Sequence, residues 1–361
     1  MKRIISLLIC TLLISNIFTT SVFAASNSIN ANISILSEDT SEVDAYAIDT
    51  YQNLLNSHCY ANGTNDNLNA ILGSGFSVYD DSSVFYLYPV FVNNTVKYVY
   101  RIYKYGDSYS GVISEILAEE LNNHFKTTSG VVSFYLLDGD LVAYNGNSYI
   151  VVSSSPMQKK VDSEVNSHIF TFPKSSTQIL VNPYTSLKKS SLFNLFNIQP
   201  RASISLPIDY LDRQGNQPWC AAFTSACILR YMTDNTNITG AYIAGHGHIF
   251  GDQEVPLSVI RSYANMHGVS VGNYINGTPA PSTVHNQMLL RCPIYLGMIS
   301  EKNSNNKHAV VLHGVDGNNF IIRNPWYGFS ETFIYTGIYS PAHSTNDPQY
   351  TINRYVLFSY Q

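Results

Sequence analysis

The sequence predicts an α+β fold divided into two units, and three observations support this prediction. Between about residues 84 and 152, apolar and polar side chains alternate, and turn-forming residues separate the runs. Between residues 214 and 232, apolar side chains instead recur at helical spacing, and strand-like segments follow later in the chain. The chain has 361 residues and is 45% hydrophobic, which is enough for two domains with real cores.

The first 24 residues have the pattern of a signal peptide. Lys2 and Arg3 precede an apolar run over residues 4–13, and the segment Val-Phe-Ala at 22–24 ends in a small residue. We therefore expect cleavage before Ala25 and a secreted, extracellular protein. Polar residues interrupt the run short of the roughly 20 apolar residues that span a bilayer, so we expect no membrane anchor after cleavage.

Residues 25–200 are predicted to form a small α+β unit. Strand-like runs lie at 84–92, 96–103, 140–144 and 148–152, with the turn-formers Asn-Asn-Thr and Asn-Gly-Asn between the members of each pair. Such pairs are typical of antiparallel hairpins. Between the two pairs, helical spacing predicts a helix that uses Ile113, Ile116, Leu117 and Leu121.

A looser segment near residues 185–205 separates the two units. It contains Lys188, Lys189 and Arg201 and has the composition of an exposed connector, a preferred place for proteolytic cleavage. The second unit is therefore predicted to cover residues 202–361.

The second unit is predicted to begin with helices and to end in a mostly antiparallel sheet. The first helix begins near Cys220, after Pro218, which a first helical turn tolerates, and ends at Asp234. Two further helices are predicted at 257–267 and 284–291. Strands are predicted at 293–298, 308–315, 319–323 and 355–359.

Composition argues against a nucleic-acid partner. Charged residues make up only 12% of the chain, and the formal net charge is -5. Proteins that bind nucleic acid carry a basic patch or stripe, and this sequence has none that stands out.

Cys220 lies at a predicted helix N-terminus, where a thiol can be activated as a nucleophile. The thiolate is the reactive form, and both the positive end of a helix and a nearby imidazolium lower the pKa of a thiol. His308, at the start of a predicted strand, would accept the thiol proton, and the side-chain oxygen of Asn324 would orient the imidazole. Gln214 would donate an amide N–H, beside the backbone N–H of Cys220, to the oxyanion of a tetrahedral intermediate.

These residues resemble the motifs of papain-like cysteine peptidases, and more closely those of the short secreted bacterial staphopain type. In that family a Gln lies six residues before the nucleophile, a His opens a strand with the pattern H-A-V, and an Asn sixteen residues later begins N-x-W-x-G. Here the same positions hold Gln214 and Cys220, His308-Ala309-Val310, and Asn324-Pro325-Trp326-Tyr327-Gly328. The resemblance runs from about Pro207 to the C-terminus.

The resemblance implies a fold, an activity and a set of roles. The fold would be a helical half facing an antiparallel, barrel-like sheet, and the activity would be hydrolysis of peptide bonds through a Cys220-His308-Asn324 triad and a thioester intermediate. Trp326 would shield the Asn–His hydrogen bond from water, and Gln214 would complete the oxyanion hole. Residues 25–200 would be a pro-domain that inhibits the enzyme until the connector is cut.

The same resemblance implies the partners of the protein. Its substrates would be polypeptides, its inhibitor would be its own pro-domain, and it would act as a monomer. The chemistry of a cysteine peptidase requires no metal and no organic cofactor.

Some residues have a second interpretation. His313 competes with His308 as the base, but five residues along a strand its side chain points to the opposite face, where it would pack or form a hydrogen bond. His246 and His248 have the spacing of a metal pair, but no further ligands lie near them in the sequence, which favours loop histidines. The cysteines that remain after signal cleavage could form two disulfides or stay reduced: Cys59, Cys220, Cys227 and Cys292.

Two other functions fit parts of the pattern. The first is a related Cys-His enzyme, such as an amidase or leader-processing peptidase that acts on cell-wall or peptide substrates, although an Asp as third member is common among those. The second is a binding protein on a degenerate fold, against which the complete set of four site residues argues.

Overall fold

The computed structural model describes residues 33–80, 83–137, 139–154, 178–187, 203–208, 211–215, 217–339, 341 and 349–361. The predicted signal peptide and most of the connector, including Lys188, Lys189 and Arg201, lie outside these residues. The described residues combine helices with a large, mostly antiparallel sheet, which agrees with the α+β class. No helix in the described ranges is long and apolar enough to span a bilayer.

The first unit contains ten strands and two α-helices within the residues described up to 187. In chain order they are β1 Ile33–Glu38, α1 Ser41–Asn62, β2 Ile71–Leu72, β3 Phe76–Asp80, β4 Ser83–Val92, β5 Thr95–Tyr105, β6 Ser108–Ser114, α2 Ala118–Thr127, β7 Gly130–Leu137, β8 Asp140–Tyr144, β9 Tyr149–Ser153 and β10 Gln178–Val181. Both predicted hairpins, β4–β5 and β8–β9, are confirmed. Asn93 and Asn94 form the tight turn of the first hairpin with φ angles of 51° and 61°, the left-handed region that such turns require.

The one helix predicted for the first unit is partly wrong, and a second helix was not predicted. Ile113 lies in β6 and not in a helix, because β6 is paired on one side with β5 and on the other with a strand of the second unit. The helix α2 begins only at Ala118. The long helix α1 was not anticipated, although its buried face has helical spacing and Gly63 ends it in a left-handed conformation.

The second unit begins with most of its helices and ends with strands. Its elements are β11 Ser203–Ser205, α3 Cys220–Thr233, α4 Gly240–His246, α5 Leu257–Asn265, β12 Val269–Val271, β13 Ile275–Asn276, α6 Pro281–Leu289, β14 Ile294–Ser300, β15 Lys307–Asp316, β16 Asn319–Arg323, β17 Ser330–Ile334, β18 Ile338–Tyr339 and β19 Tyr350–Tyr360. The three predicted helices and four predicted strands are confirmed, although the last strand, β19, begins well before the predicted residue 355. The short helix α4 is additional.

The sheets of the two units are joined edge to edge. In the second unit β17, β16, β15, β14 and β19 pair in that order, all antiparallel. The outer edge of β17 pairs with β6 of the first unit, with Phe333 opposite Val112. One cluster of buried apolar side chains therefore continues from the first unit into the second.

Helix α3 lies against the central strand β15 of the second unit. The Thr224 hydroxyl donates a hydrogen bond to the Ala309 carbonyl at 2.9 Å, and Ala222, Ala226 and Cys227 are fully buried. This contact fixes the height of the helix along the strand, so the N-terminus of α3 lies beside the start of β15.

Helix α1 of the first unit is held to the second unit by buried polar contacts. The Asp316 carboxylate accepts hydrogen bonds from Ser57 at 2.7 Å and from Ser203 at 2.6 Å. Asn319 donates to the Ser57 hydroxyl at 2.8 Å. Because hydrogen bonds to a charged group are among the stronger ones, Asp316 is a principal anchor of α1.

We expect Asp316→Ala to weaken the association of the two units. After proteolytic cleavage of the connector, loss of charged hydrogen bonds should raise the dissociation constant of the fragments by about tenfold or more. Dissociation on dilution, followed by size-exclusion chromatography, measures this effect. Asp252→Ala, in an exposed loop, is the control, and equal dissociation of the two variants would contradict the role of Asp316.

Candidate active site

Cys220 is the first residue of helix α3, as the sequence predicts. The residue as a whole is partly exposed, but its thiol is buried and lies near the backbone N–H groups of Ala221 and Ala309, both of which favour the thiolate. Ala309 directly follows His308 on β15. The N-terminus of α3 and the start of β15 therefore bring the thiol to the strand that carries the histidine.

The pKa of Cys220 differs from the expectation. Burial raises the pKa of this thiol from its ordinary value of 9.0 to about 11, and the backbone N–H groups of Ala309 and Ala221 offset only part of that rise. Burial disfavours a charged group because the solvation of that charge is lost. In the intact chain at neutral pH, Cys220 is therefore a neutral thiol.

His308 and Asn324 are hydrogen-bonded to each other inside the second unit. The distance from His308 Nε2 to Asn324 Oδ1 is 3.0 Å, and both side chains are buried. Burial lowers the pKa of His308 from 6.5 to about 3, although the bond to Asn324 acts in the opposite direction. The other ring nitrogen, Nδ1, is buried and has no hydrogen-bond partner among the described residues.

The loop after β16 holds Asn324 and Trp326 in place. The backbone N–H groups of Tyr327 and Gly328 donate to the Asn324 carbonyl, and the Trp326 N–H donates to the Asn324 side-chain oxygen at 3.1 Å. The Trp326 ring stacks on the His308 ring, with 3.5 Å between centroids and an angle of 13°. The aromatic ring therefore covers one face of the imidazole and excludes water from it.

Gln214 is buried in the chain segment before α3. Its backbone N–H donates to the Pro325 carbonyl at 3.1 Å, which ties this segment to the loop that carries Asn324. Its side-chain Nε2 donates to the Gln217 carbonyl at 2.6 Å. A primary amide has two N–H groups, so this contact uses one of them.

His313 has a structural role, in line with the sequence interpretation. It lies further along β15, and its Nδ1 is hydrogen-bonded to the Leu206 carbonyl at 2.9 Å. Burial lowers the pKa of His313 to about 3. Its ring is therefore neutral and is held by backbone.

The remaining histidines and cysteines are not gathered into a metal site within the described ranges, where no group of three or more ligand-type side chains could hold an ion. His246 Nε2 is instead hydrogen-bonded to Ser262 at 2.9 Å. No disulfide joins Cys59, Cys220, Cys227 and Cys292 in the structure. Of the two alternatives that the sequence allows, disulfides or reduced thiols, the structure has the reduced thiols.

Sequence reasoning did not find two side chains that contact Asn324 or its partner. Asn324 Nδ2 donates to the Tyr339 hydroxyl at 2.9 Å, and that hydroxyl donates to Glu331 at 2.6 Å. Neither residue belongs to a motif, and Glu331 lies between Ser330 and Thr332 in the sequence. The one available signal is Glu331 itself. Glutamate is rarely fully buried, and the other residues of β17 are apolar or small.

No protein-family model matches the sequence, and no curated protein matches it either.

We expect the intact protein to lose stability as pH falls from about 6.5 to about 3. In the unfolded chain His308 and His313 take up protons near pH 6.5, whereas in the folded chain both stay neutral down to about pH 3. The unfolded state therefore binds more protons in this range, which lowers the free energy of unfolding as pH falls.

Thermal unfolding between pH 7.5 and 4 tests this expectation. His313→Asn should reduce the dependence of Tm on pH, whatever its effect on Tm itself, while Gln253→Asn, which replaces an exposed side chain that does not titrate, is the control. An unchanged slope in His313→Asn would show that His313 protonates in the folded state.

We also expect Cys220 in the intact protein to be alkylated slowly at neutral pH. With a thiol pKa of about 11, the reaction with iodoacetamide should speed up about tenfold per pH unit between pH 7 and 10, because only the thiolate reacts. Mass spectrometry of the Cys220 peptide measures the rate. The chain unfolded in urea serves as the control, and a midpoint below pH 8 in the folded protein would refute the raised pKa.

Proposed function

We propose that this protein is a secreted cysteine endopeptidase made as an inactive precursor, with Cys220 as nucleophile, His308 as base and Asn324 as the residue that orients the base. The observation that carries the proposal is the His308–Asn324 hydrogen bond at 3.0 Å, on the strand against which the helix of Cys220 packs. The motif resemblance to papain-like cysteine peptidases of the staphopain type supports the same assignment.

The proposed reaction uses His308 Nδ1 as the proton acceptor. Cys220 gives its proton to this nitrogen, and the sulfur attacks the carbonyl carbon of a peptide bond, which forms a tetrahedral oxyanion. The imidazolium then protonates the leaving amine, and the carbon–nitrogen bond breaks to give a thioester. Water, deprotonated by His308, attacks the thioester, releases the carboxylic acid and restores the thiol.

The oxyanion would be held by the backbone N–H of Cys220 and by Gln214. One N–H of the Gln214 amide is occupied by Gln217, and the second N–H is the proposed donor. Removal of one such donor costs about 3 to 4 kcal/mol of transition-state stabilisation in well-studied enzymes. The bond from Gln214 to Pro325 supports this role because it links both sides of the site.

The first unit is proposed to be the inhibitory pro-domain. It contacts the loop before β15, where Asp80 forms an ion pair at 2.9 Å with Lys302. Arg101 of the first unit also interacts electrostatically with Tyr327, in the loop that follows Asn324. The neutral thiol and neutral imidazole of the intact chain favour a latent state, since the reactive form is an ion pair. Cleavage in the 188–202 connector would release this restraint.

The decisive experiment compares hydrolysis before and after the connector is cut. The protein without residues 1–24 is treated with immobilised trypsin, which cleaves after Lys and Arg, and the trypsin is removed. Hydrolysis of unfolded casein under reducing conditions is then measured. We expect activity from the cut protein and almost none from the intact one, because the thiolate–imidazolium pair is not formed in the intact chain.

Matched cysteine variants identify the nucleophile. Cys220→Ala should lower the rate by about 10⁴-fold or more, as loss of a catalytic nucleophile does, whereas Cys292→Ala, a buried cysteine outside the site, should keep it. Equal activity in intact and cut protein would overturn the proposal that the intact chain is an inactive precursor. If no cut protein hydrolyses casein, the proposed endopeptidase activity is wrong. Cell-wall peptides would then be tested as substrates.

A further inference from the structure

A line of buried hydrogen bonds leads from the candidate triad into the second unit. Asn324 Nδ2 donates to the Tyr339 hydroxyl at 2.9 Å, and that hydroxyl donates to Glu331 Oε2 at 2.6 Å. All three side chains are fully buried. We propose that Tyr339 and Glu331 are positioning residues that fix the orientation of the Asn324 amide and thereby the tautomer of His308, an inference that rests on the proposed function.

The Trp326 backbone N–H identifies which atom of the Asn324 side-chain amide is the oxygen. A backbone N–H can only donate, and it lies 3.1 Å from the atom assigned as Asn324 Oδ1. That atom must therefore be the oxygen, and the nitrogen must face Tyr339. The amide oxygen thus has a donor as its partner, Trp326 N–H, and the amide nitrogen has an acceptor, the Tyr339 hydroxyl.

Glu331 makes the Tyr339 hydroxyl an acceptor toward Asn324. A hydroxyl has one proton to donate, and at 2.6 Å from a carboxylate oxygen that proton is committed to Glu331. The hydroxyl oxygen then faces Asn324 as an acceptor only. A rotated Asn324 would direct its oxygen at this acceptor, so Glu331 penalises the wrong rotamer although it does not touch Asn324 itself.

The consequence for His308 is a defined tautomer. With Asn324 Oδ1 as acceptor, His308 Nε2 must carry the ring proton. Because burial keeps the ring neutral, Nδ1 then carries a lone pair. Nδ1 is the nitrogen that has no partner among the described residues, and it is the one that must take a proton from a nucleophile.

The guanidinium of Arg101 supplies a positive charge in the same buried region as the Glu331 carboxylate. This guanidinium of β5 is almost fully buried, interacts electrostatically with Glu331 and donates to the Pro341 carbonyl. A buried carboxylate is costly unless it is paired or hydrogen-bonded. The Tyr339 hydroxyl and the field of Arg101 together make an ionised Glu331 tolerable at this position.

The test measures the tautomer and the kinetics separately. In the full-length chain labelled with ¹⁵N-histidine, NMR reports which ring nitrogen of His308 carries the proton, with the assignment made from the signal lost in His308→Gln. The variants are Tyr339→Phe, which removes the hydroxyl, and Glu331→Gln, whose amide can donate to Tyr339 and reverse its role. Tyr231→Phe is the control, since its hydroxyl contacts Arg291 on the surface.

We expect His308 to be protonated at Nε2 in the parent protein and in Tyr231→Phe, and to show a mixture of tautomers in Tyr339→Phe and Glu331→Gln. In protein cut at the connector, the two test variants should lower kcat about tenfold or more while KM stays within about twofold, because outer hydrogen-bond partners orient the reacting group and do not contact substrate. Circular dichroism confirms that each variant folds, and either variant alone decides the question.

The outcomes separate the two proposals. Unchanged tautomer and kcat in a folded test variant would overturn the positioning role while leaving the peptidase intact. A parent protein that shows the Nε2 tautomer, lost in the variants, but has no peptidase activity would support the positioning role and overturn the proposed function. An Nδ1-protonated His308 in the parent protein would overturn the positioning argument directly.

Discussion

The hydrogen bond between His308 and Asn324 is the contact on which the rest of the candidate site depends. These residues lie sixteen positions apart and meet because β15 and β16 are antiparallel, with Val311 opposite Arg323. A slip of this register by one residue would turn one of the two side chains to the other face of the sheet. Cys220 is brought to the same place because α3 is fixed on β15 by Thr224 and Ala309. Strand register and helix docking thus act together.

Burial gives this site two properties at once. Packing by Trp326 and the surrounding core excludes water and keeps the His308 ring oriented, which prepares the geometry that the proposed reaction needs. The same burial raises the pKa of the Cys220 thiol and lowers that of the imidazole, so neither group is charged in the intact chain. Under the proposed function, the His308–Asn324 pair is already formed in the precursor, and removal of the first unit would change the electrostatics of the site and its access to substrate.

The join between the two units lies on the strand that carries Glu331. Strand β6 pairs with β17 at Glu331, Thr332 and Phe333, and the buried Arg101 of the neighbouring strand β5 interacts electrostatically with Glu331. The first unit therefore contacts the residues behind the candidate triad as well as the loop before His308. Its removal would expose one edge of β17, and an unpaired strand edge is open to pairing with another chain.

The sequence by itself determined the α+β class, both hairpins of the first unit and the start of helix α3 at Cys220, and it predicted the residues of the candidate site, because turns, helix starts and motif spacings are local. It did not determine where the helix predicted from Ile113 begins, since pairing of β6 with two strands overrides local spacing. Only the tertiary structure decided the raised pKa of Cys220 and the Tyr339–Glu331 line behind Asn324. Both arise from long-range packing, which sets how much water surrounds a polar group and which partner it meets.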